Sequence, residues 1–304
     1  MKTYSFIEKT VNALSGNHSG DYPSIPLHER RMPSAEIMNE IIELIRSALF
    51  PGYFGSPLVN EVSLTYHNGV EIEKIYNLLF QQIYDSLFYH NRSANADSEQ
   101  IRKEARRLAQ QFIERLPEIK KMLSTDVKAI FDSDPAAKSY GEVIFCYPAA
   151  RAITNYRIAH ELYKLQIPLL PRIITELAHG QTGIDIHPGA QIGRYFSIDH
   201  GTGVVIGETT IIGEHVTLYQ GVTLGAKNIT LNLDADGQHL NTPRHPILED
   251  NVTVYSNSSI LGRITIGHGT IIGGNIWLTY SVPPNSRILQ TRAVSLDLTD
   301  GAGI

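Results

Sequence analysis

The chain has 304 residues, which is enough for one large domain or two medium ones. Its 42% hydrophobic and 19% charged residues are typical of a globular protein, and its net charge of −5 argues against a nucleic-acid or anionic-membrane partner. A single cysteine, Cys146, excludes an internal disulfide framework and fits a reducing compartment. Because the N-terminus lacks the apolar core of a signal peptide and no apolar run could span a bilayer, we expect a cytoplasmic protein.

The first half of the chain predicts helices. Residues 1–33 show no clear period and are treated as an N-terminal extension without a predicted structure. From Ser34, a predicted N-cap, apolar residues recur at helical spacing, and the pattern returns in further segments up to about residue 178. We therefore predict a helical domain over residues 34–178.

The pattern changes near residue 179, where an aliphatic residue begins to return every six residues. This period fits neither a helix nor the two-residue alternation of a strand, and it is typical of a parallel β-helix. Each repeated aliphatic residue, called a rung here, points inward, and three hexapeptides complete one coil of about 18 residues. The sequence thus predicts an α+β fold, with a β-helix over 179–281 and a C-terminal tail over 282–304. The thirteen predicted rungs are Ile186, Ile192, Ile198, Ile206, Ile212, Leu218, Leu224, Leu248, Val254, Ile260, Ile266, Ile272 and Leu278.

Two interruptions break this period. Ile198 and Ile206 are eight residues apart, with Asp199 and His200 between them. The second interruption is a long polar loop over 225–246. Because loops on a rigid scaffold commonly carry function, we predict that both belong to one site and that the long loop folds over the first interruption.

Asp199 and His200 carry the sharpest chemical signal. A neutral imidazole is the natural general base near pH 7, and its second nitrogen needs an orienting acceptor, normally a carboxylate. Asp185 lies 15 residues before His200, close to one coil, so the two can occupy neighbouring coils. The alternative interpretation of His200, if it stood without the other signals, is a solvent-exposed residue at a corner of the solenoid.

These segments resemble a known family, the serine O-acetyltransferases. The resemblance rests on "DIHPGAQIGRYFSIDHGTGVVIGETTIIGEHVTLYQGVTLG", "PRHPILEDNV" and "ILGRITIGHGTIIGGN", and upstream on "DSDPAAKSYGEVIFCYPAARAITNYRIAHEL". It implies a helical domain followed by a left-handed parallel β-helix, a homotrimer that can pair into a dimer of trimers, and acetyl transfer from acetyl-CoA to the hydroxyl of L-serine. No metal is implied.

The resemblance also implies roles for individual residues. His200 matches the general base and Asp185 its dyad carboxylate. Asp199 and Asp134 match the acids that hold the serine ammonium, while Arg244 and His245 match the pair that meets the substrate carboxylate and hydroxyl. Two of these residues also have an interpretation without a role in the reaction. Asp134, which precedes Pro135, could be the N-cap of a helix, and Arg244 could be a solvated surface charge.

For acetyl-CoA, the family uses backbone groups of neighbouring coils to hold the pantetheine arm. The matching positions here are Thr223, Gly225, Ala226 and Ser256. The usual Gly-Gly-Thr is replaced by Gly225-Ala226-Lys227, so we expect Lys227 to supply a charge for the CoA phosphates.

The tail ends in "LTDGAGI" and resembles the family's C-terminus, which binds O-acetylserine sulfhydrylase. The resemblance implies that Ile304 and its carboxylate are captured by that partner. A tail ending in isoleucine by chance is the alternative.

Three other functions remain open from the sequence. A hexapeptide acetyltransferase for sugars or other hydroxyl acceptors would keep His200 but would not need Asp134, Asp199 and Arg244. A carbonic anhydrase on the same solenoid would need three histidines that meet around a metal at a subunit interface, two of them closely spaced. A non-catalytic scaffold would bind the sulfhydrylase through Ile304 alone.

Overall fold

The computed structural model describes residues 5–15, 32–55, 62–90, 98–227 and 242–291. Its first part is helical, as predicted. The eight helices of the described residues are α1 (Ser5–Ser15), α2 (Ala35–Leu49), α3 (Leu64–His90), α4 (Ser98–Ile113), α5 (Leu116–Ser133), α6 (Tyr140–Cys146), α7 (Pro148–Lys164) and α8 (Leu170–Thr182).

Local signals set the bounds of several helices. The Ser34 side chain accepts a hydrogen bond from the backbone N–H of Ile37, which confirms it as the N-cap of α2. Gly183 is the C-cap of helix α8, and its φ of 69° lies in the left-handed region that a glycine adopts without strain. The helical region therefore runs to Thr182, four residues beyond the predicted boundary. Helix α1 lies within the segment for which no structure was predicted.

The second part is a parallel β-solenoid, which confirms the predicted fold. The strands are β1 (Asp185–Ile186), β2 (Gln191–Ile192), β3 (Ser197–Asp199), β4 (Val205–Ile206), β5 (Ile211–Ile212), β6 (Thr217–Tyr219), β7 (Thr223–Gly225), β8 (Ile247–Leu248), β9 (Thr253–Val254), β10 (Ser259–Leu261), β11 (Thr265–Ile266), β12 (Ile271–Ile272), β13 (Trp277–Leu278) and β14 (Arg287–Ile288). These short strands stack into three sheets, and up to β13 each sheet holds every third strand. Sheet 1 contains β1, β4, β7, β10 and β13; sheet 2 contains β2, β5, β8 and β11; sheet 3 contains β3, β6, β9, β12 and β14.

All thirteen predicted rungs are buried and form the solenoid core. Removing each from water stabilises the fold by roughly 1.5–3 kcal/mol. Strand β14 pairs with β12, so the solenoid continues past residue 281 into the predicted tail. Val282, which is buried and bridges to Ile266, carries the chain into this extra strand.

Helix α7 joins the helical region to the first coil. The Tyr156 hydroxyl donates to the Ala190 carbonyl at 2.6 Å, and the ring Nδ1 of His160 donates to the Pro188 carbonyl at 2.8 Å. Between them, Arg157 donates to the Gly193 carbonyl at 2.6 Å. The segment "YRIAH" thus fixes the start of the solenoid to α7. Within the described ranges, no helix combines the length and apolarity needed to cross a membrane.

Candidate active site

Each coil has three corners, and two of them carry the predicted site residues. The 3–1 corner is the turn from sheet 3 to sheet 1, and the 1–2 corner is the turn from sheet 1 to sheet 2. Asp199 ends β3 and His200 begins the 3–1 corner. The His200 imidazole is 72% exposed, the Asp199 side chain is 22% exposed, and the His200 Nε2 lies 3.7 Å from an Asp199 carboxylate oxygen.

The extra residues of this corner take left-handed backbone conformations. His200 has a φ of 58°, and Gly201 and Gly203 follow with 94° and 80°. A Cβ on Gly201 would lie 2.5 Å from Ile184 Cδ1, so this turn requires a glycine as well as the unusual φ. The two-residue break in the period therefore presents the imidazole of His200 at the solenoid surface.

Asp134 reaches this corner from the helical region. It is the C-cap residue of α5, and its Oδ1 accepts from the Ala136 N–H at 2.8 Å. Its Oδ2 accepts from the Tyr147 hydroxyl at 2.5 Å. The hydrogen bond from Tyr147, that from the Ala136 backbone and the nearby His200 all lower the pKa of Asp134, so it stays anionic. The N-cap interpretation of Asp134 is wrong, because Ser139 caps the next helix, α6.

Asp185, the predicted dyad carboxylate, makes different contacts. It is the first residue of β1 and is half-buried. Its carboxylate lies within 4.8 Å of ligand atoms of Glu176 and His179 on α8. No ion pair joins Asp185 to His200 within the described part of the chain. Glu176, His179 and Asp185 form the one group there with three or more side chains able to hold a metal ion. With a single histidine, that group does not fit the three-histidine site of a carbonic anhydrase.

Arg244 and His245 lie at the 1–2 corner, away from His200 of the same chain. Arg244 Nη2 lies 2.6 Å from Glu208 Oε2, and the Tyr163 hydroxyl donates to the other oxygen of Glu208 at 3.3 Å. His245 is buried, and its Nδ1 accepts from the Thr209 N–H at 3.1 Å. The described end of the long loop therefore contacts residues 208–209, whereas the sequence led us to expect it over Asp199 and His200.

Electrostatics at the 1–2 corner keep its histidines neutral. Burial, and then the Arg244 charge, lower the pKa of His245 to about 4. Burial also lowers the pKa of His187 to about 4, although the Glu208 charge opposes this. Burial is the largest single influence on Glu208 and would raise its pKa, but the hydrogen bond from Arg244, the charges of His187 and Arg244 and the hydrogen bond from Tyr163 together lower it. Because His245 accepts through Nδ1, its neutral ring carries the proton on Nε2.

The positions predicted for acetyl-CoA lie at both edges of sheet 1. Thr223 and Gly225 are in β7, followed by Ala226 and an exposed Lys227 at the 1–2 corner. Ser256 lies at the 3–1 corner, where its carbonyl accepts from the Asn275 N–H at 2.8 Å. Residues 228–241 of the long loop and Ile304 lie outside the described residues.

Sequence reasoning missed three side chains that complete these two corners. Tyr147 holds Asp134, Thr209 holds His245, and His187 lies beside Glu208. All three lie within the segments quoted for the family resemblance, His187 in "DIHPGA", Thr209 at the end of "DHGTGVVIGET" and Tyr147 in "CYPAAR", but nothing in those segments indicates their partners. Contacts between residues 13 or 36 positions apart leave no local pattern to read.

Comparison with individual known proteins identifies the family of this chain, although no model of a known protein family matches the sequence. The plasmid-encoded serine acetyltransferase of Synechococcus elongatus is 44% identical over 98% of this chain and 95% of its own length. The chain belongs to the serine acetyltransferase family. This confirms the predicted resemblance, and members of the family are acetyl-CoA-dependent acyltransferases.

Other serine acetyltransferases match in part or in structure. The enzyme of Bacillus licheniformis is 47% identical over 56% of this chain and 74% of its own. Isoform 3 of Entamoeba histolytica, solved in complex with cysteine, superposes with a TM-score of 0.72 at 28% identity and covers 96% of this chain and 93% of its own. The serine complex of the Neisseria gonorrhoeae enzyme has a TM-score of 0.54 at 26% identity and covers 84% of this chain and 97% of its own.

Proposed function

We propose that the protein transfers the acetyl group of acetyl-CoA to the hydroxyl of L-serine, giving O-acetylserine and CoA. The observation that carries this proposal is the exposed His200 imidazole at the 3–1 corner, with Asp199 3.7 Å from its Nε2 and Asp134 near enough for the imidazole charge to lower its pKa. Two carboxylates suit an ammonium group, and an exposed imidazole beside them suits a general base. The serine complex of the Neisseria relative supports the choice of acceptor.

The reaction needs one proton to move twice. His200 takes the proton of the serine hydroxyl as its oxygen attacks the thioester carbonyl. The tetrahedral intermediate then expels the CoA thiolate as the carbon–sulfur bond breaks, and the imidazolium returns the proton to sulfur. We propose that Asp185 orients His200 during the reaction, as the family resemblance implies.

The acceptor carboxylate would be held by Arg244, with the Nε2–H of His245 beside it. These groups lie at the 1–2 corner and His200 at the 3–1 corner, so a substrate that touches both must lie between two copies of the chain. This separation supports a homotrimer that builds its sites between neighbouring solenoids. Mixing an inactive His200→Ala chain with an inactive Arg244→Ala chain should restore part of the activity, and no restoration would contradict shared sites.

We propose that the pantetheine arm runs along sheet 1 between its two edges, where Thr223, Gly225, Ala226 and Ser256 offer backbone groups. Exposed Lys227 would meet the CoA phosphates. A Lys227→Ala variant should raise the KM for acetyl-CoA and leave that for L-serine unchanged. If the parent and Lys227→Ala have the same KM for acetyl-CoA, Lys227 does not contribute to CoA binding.

The test of the reaction is release of the CoA thiol from acetyl-CoA, with L-serine and then a panel of sugars as acceptors. Parent protein should turn over L-serine, and His200→Ala should lose at least about a hundred-fold in kcat, in line with general-base catalysis. His215→Ala is the matched control, because His215 has the same φ of 58° at a different corner. Turnover only with sugars would favour the alternative acetyltransferase, and no turnover at all would favour the scaffold.

Two further proposals follow from the family. Because two of the Entamoeba structures hold cysteine, we propose that cysteine competes with serine at this site. We also propose that Ile304 binds O-acetylserine sulfhydrylase in the cytoplasm. Deleting Ile304 should abolish co-elution with the sulfhydrylase while leaving serine turnover intact, and retained co-elution would contradict the proposal.

A further inference from the structure

Tyr147 connects the helical region to the acceptor site through one hydrogen bond. It follows α6, its backbone N–H bonds to the Val143 carbonyl, and Pro148 begins α7 directly after it. The side chain is therefore set by the junction of two helices. Its hydroxyl donates to Asp134 Oδ2 at 2.5 Å. This contact lies outside the solenoid, yet it ends on a carboxylate proposed to bind substrate.

The Asp134 carboxylate is held at both oxygens. Oδ1 accepts from the Ala136 N–H and Oδ2 from Tyr147, so rotation about its side-chain bonds would break one of the two bonds. Each carboxylate oxygen has a second lone pair, which leaves two acceptor positions for an ammonium group. The carboxylate is thus oriented before the substrate arrives, which reduces the ordering cost of binding.

The hydroxyl also favours the ionised form of Asp134. Among the groups that act on this carboxylate, the hydrogen bond from Tyr147 has the largest effect on its pKa. The bond to Asp134 raises the pKa of Tyr147 to about 12, so Tyr147 remains a donor at working pH and lowers the pKa of Asp134.

We propose that Tyr147 is a positioning residue for acceptor binding, which aims the Asp134 carboxylate at the ammonium of the amino-acid substrate. This inference deepens the proposed function and rests on it. Tyr147 does not touch the reacting atoms, so its effect falls on recognition of the acceptor and leaves the transfer of the acetyl group largely unchanged.

The test compares Tyr147→Phe with the parent in steady-state kinetics. Loss of a hydrogen bond to a charged group should raise the KM for L-serine by roughly ten-fold or more. The KM for acetyl-CoA should stay the same, and kcat should change less than about two-fold.

Two controls separate positioning from a structural effect. Tyr140→Phe removes a hydroxyl from an exposed ring on α6 that packs on Phe131, at a centroid distance of 4.6 Å, and should leave the serine KM unchanged. In an Asp134→Asn background, adding Tyr147→Phe should raise the serine KM no further.

An unchanged serine KM in Tyr147→Phe would overturn the inference while leaving the proposed reaction standing. An equal rise in the KM for acetyl-CoA, or a further rise in the serine KM in the Asp134→Asn background, would show a structural role for Tyr147. Either result would also overturn the inference. If the parent itself does not use L-serine, the proposed function and this inference both fail.

Discussion

The Arg157 guanidinium binds the Asp126 carboxylate through two parallel hydrogen bonds where α5, α7 and the first coil meet. Arg157 Nε and Nη2 donate to the two carboxylate oxygens at 2.9 and 3.0 Å, and both side chains are almost fully buried. Asp126 also accepts from the Phe196 N–H, and Arg157 also donates to the Ile192 carbonyl. With the bond from Arg157 to the Gly193 carbonyl, the pair therefore joins the helical region to the solenoid by neutralising both charges and bonding to three backbone groups of the solenoid.

Breaking this pair should destabilise the protein strongly. Arg157→Met leaves the Asp126 charge buried without its partner, and the free energy of unfolding should fall by about 3–5 kcal/mol. Denaturant unfolding monitored by circular dichroism measures this loss of unfolding free energy. The exposed pair Arg172–Glu176 is the control, since Arg172→Met should cost under about 1 kcal/mol. A loss that small for Arg157→Met would show that water replaces the guanidinium.

Gly207 makes room for His245 at the 1–2 corner. A Cβ there would lie 2.0 Å from His245 Cδ2 and 2.1 Å from its Nε2, so Gly207→Ala should displace the ring from Thr209 and reduce serine turnover at least ten-fold. Release of the CoA thiol measures serine turnover, and thermal unfolding measures the stability of the variant. Gly180→Ala is the control, because a Cβ at that helical position meets nothing within 4 Å and should stabilise α8 by about 0.5–1 kcal/mol. Full activity of Gly207→Ala would contradict this placement of His245.

The two neutral histidines of the 1–2 corner predict a pH dependence of stability. Their pKa values fall from 6.5 to about 4 on folding, so between these pH values the unfolded chain binds more protons than the folded one. The free energy of unfolding should therefore decrease as pH falls from about 6.5 towards 4, and the contribution is complete above 6.5.

Thermal unfolding across this pH range tests the point. In the parent, the Gly189 N–H donates a hydrogen bond to His187 Nδ1 at 3.0 Å. His187→Asn keeps an acceptor for this N–H and removes one titrating group. Its Tm should fall less steeply than that of the parent between pH 6.5 and 4. Exposed His268→Asn is the control and should follow the parent. Identical slopes for parent and His187→Asn would mean that His187 titrates normally.

Glu208 fixes the side chain of Arg244, so its charge should affect acceptor binding. Glu208→Gln keeps the shape but weakens the bond to the guanidinium, and the KM for L-serine should rise roughly ten-fold with little change for acetyl-CoA. Glu214→Gln, at an exposed corner position of the solenoid, is the matched control and should leave both KM values unchanged. An unaltered serine KM in Glu208→Gln would show that Arg244 needs no partner.

The repeating part of the fold was predictable from the sequence. A rung such as Ile260 needs only its six-residue spacing to be recognised, because every coil buries the same inward position. The corner at His200 was predictable for the related reason that an insertion into a strict period must leave the coil. Prediction was less good where the period weakens: β14 follows Leu278 by an irregular step through Val282, and it lay outside the predicted β-helix.

The sequence by itself determined the helical region, the solenoid and the corner that carries Asp199 and His200, since these depend on local spacing and on residue type. Asp134 was predicted only through the family resemblance. Only the tertiary structure decided which of these residues meet. It brought Asp134 and Tyr147 to the His200 corner, turned Asp185 toward α8, and put Arg244 at a different corner. The physical reason is that a side chain's partners depend on the stacking of coils and the docking of helices. Those contacts join residues far apart in the chain, and they leave no periodic trace in it.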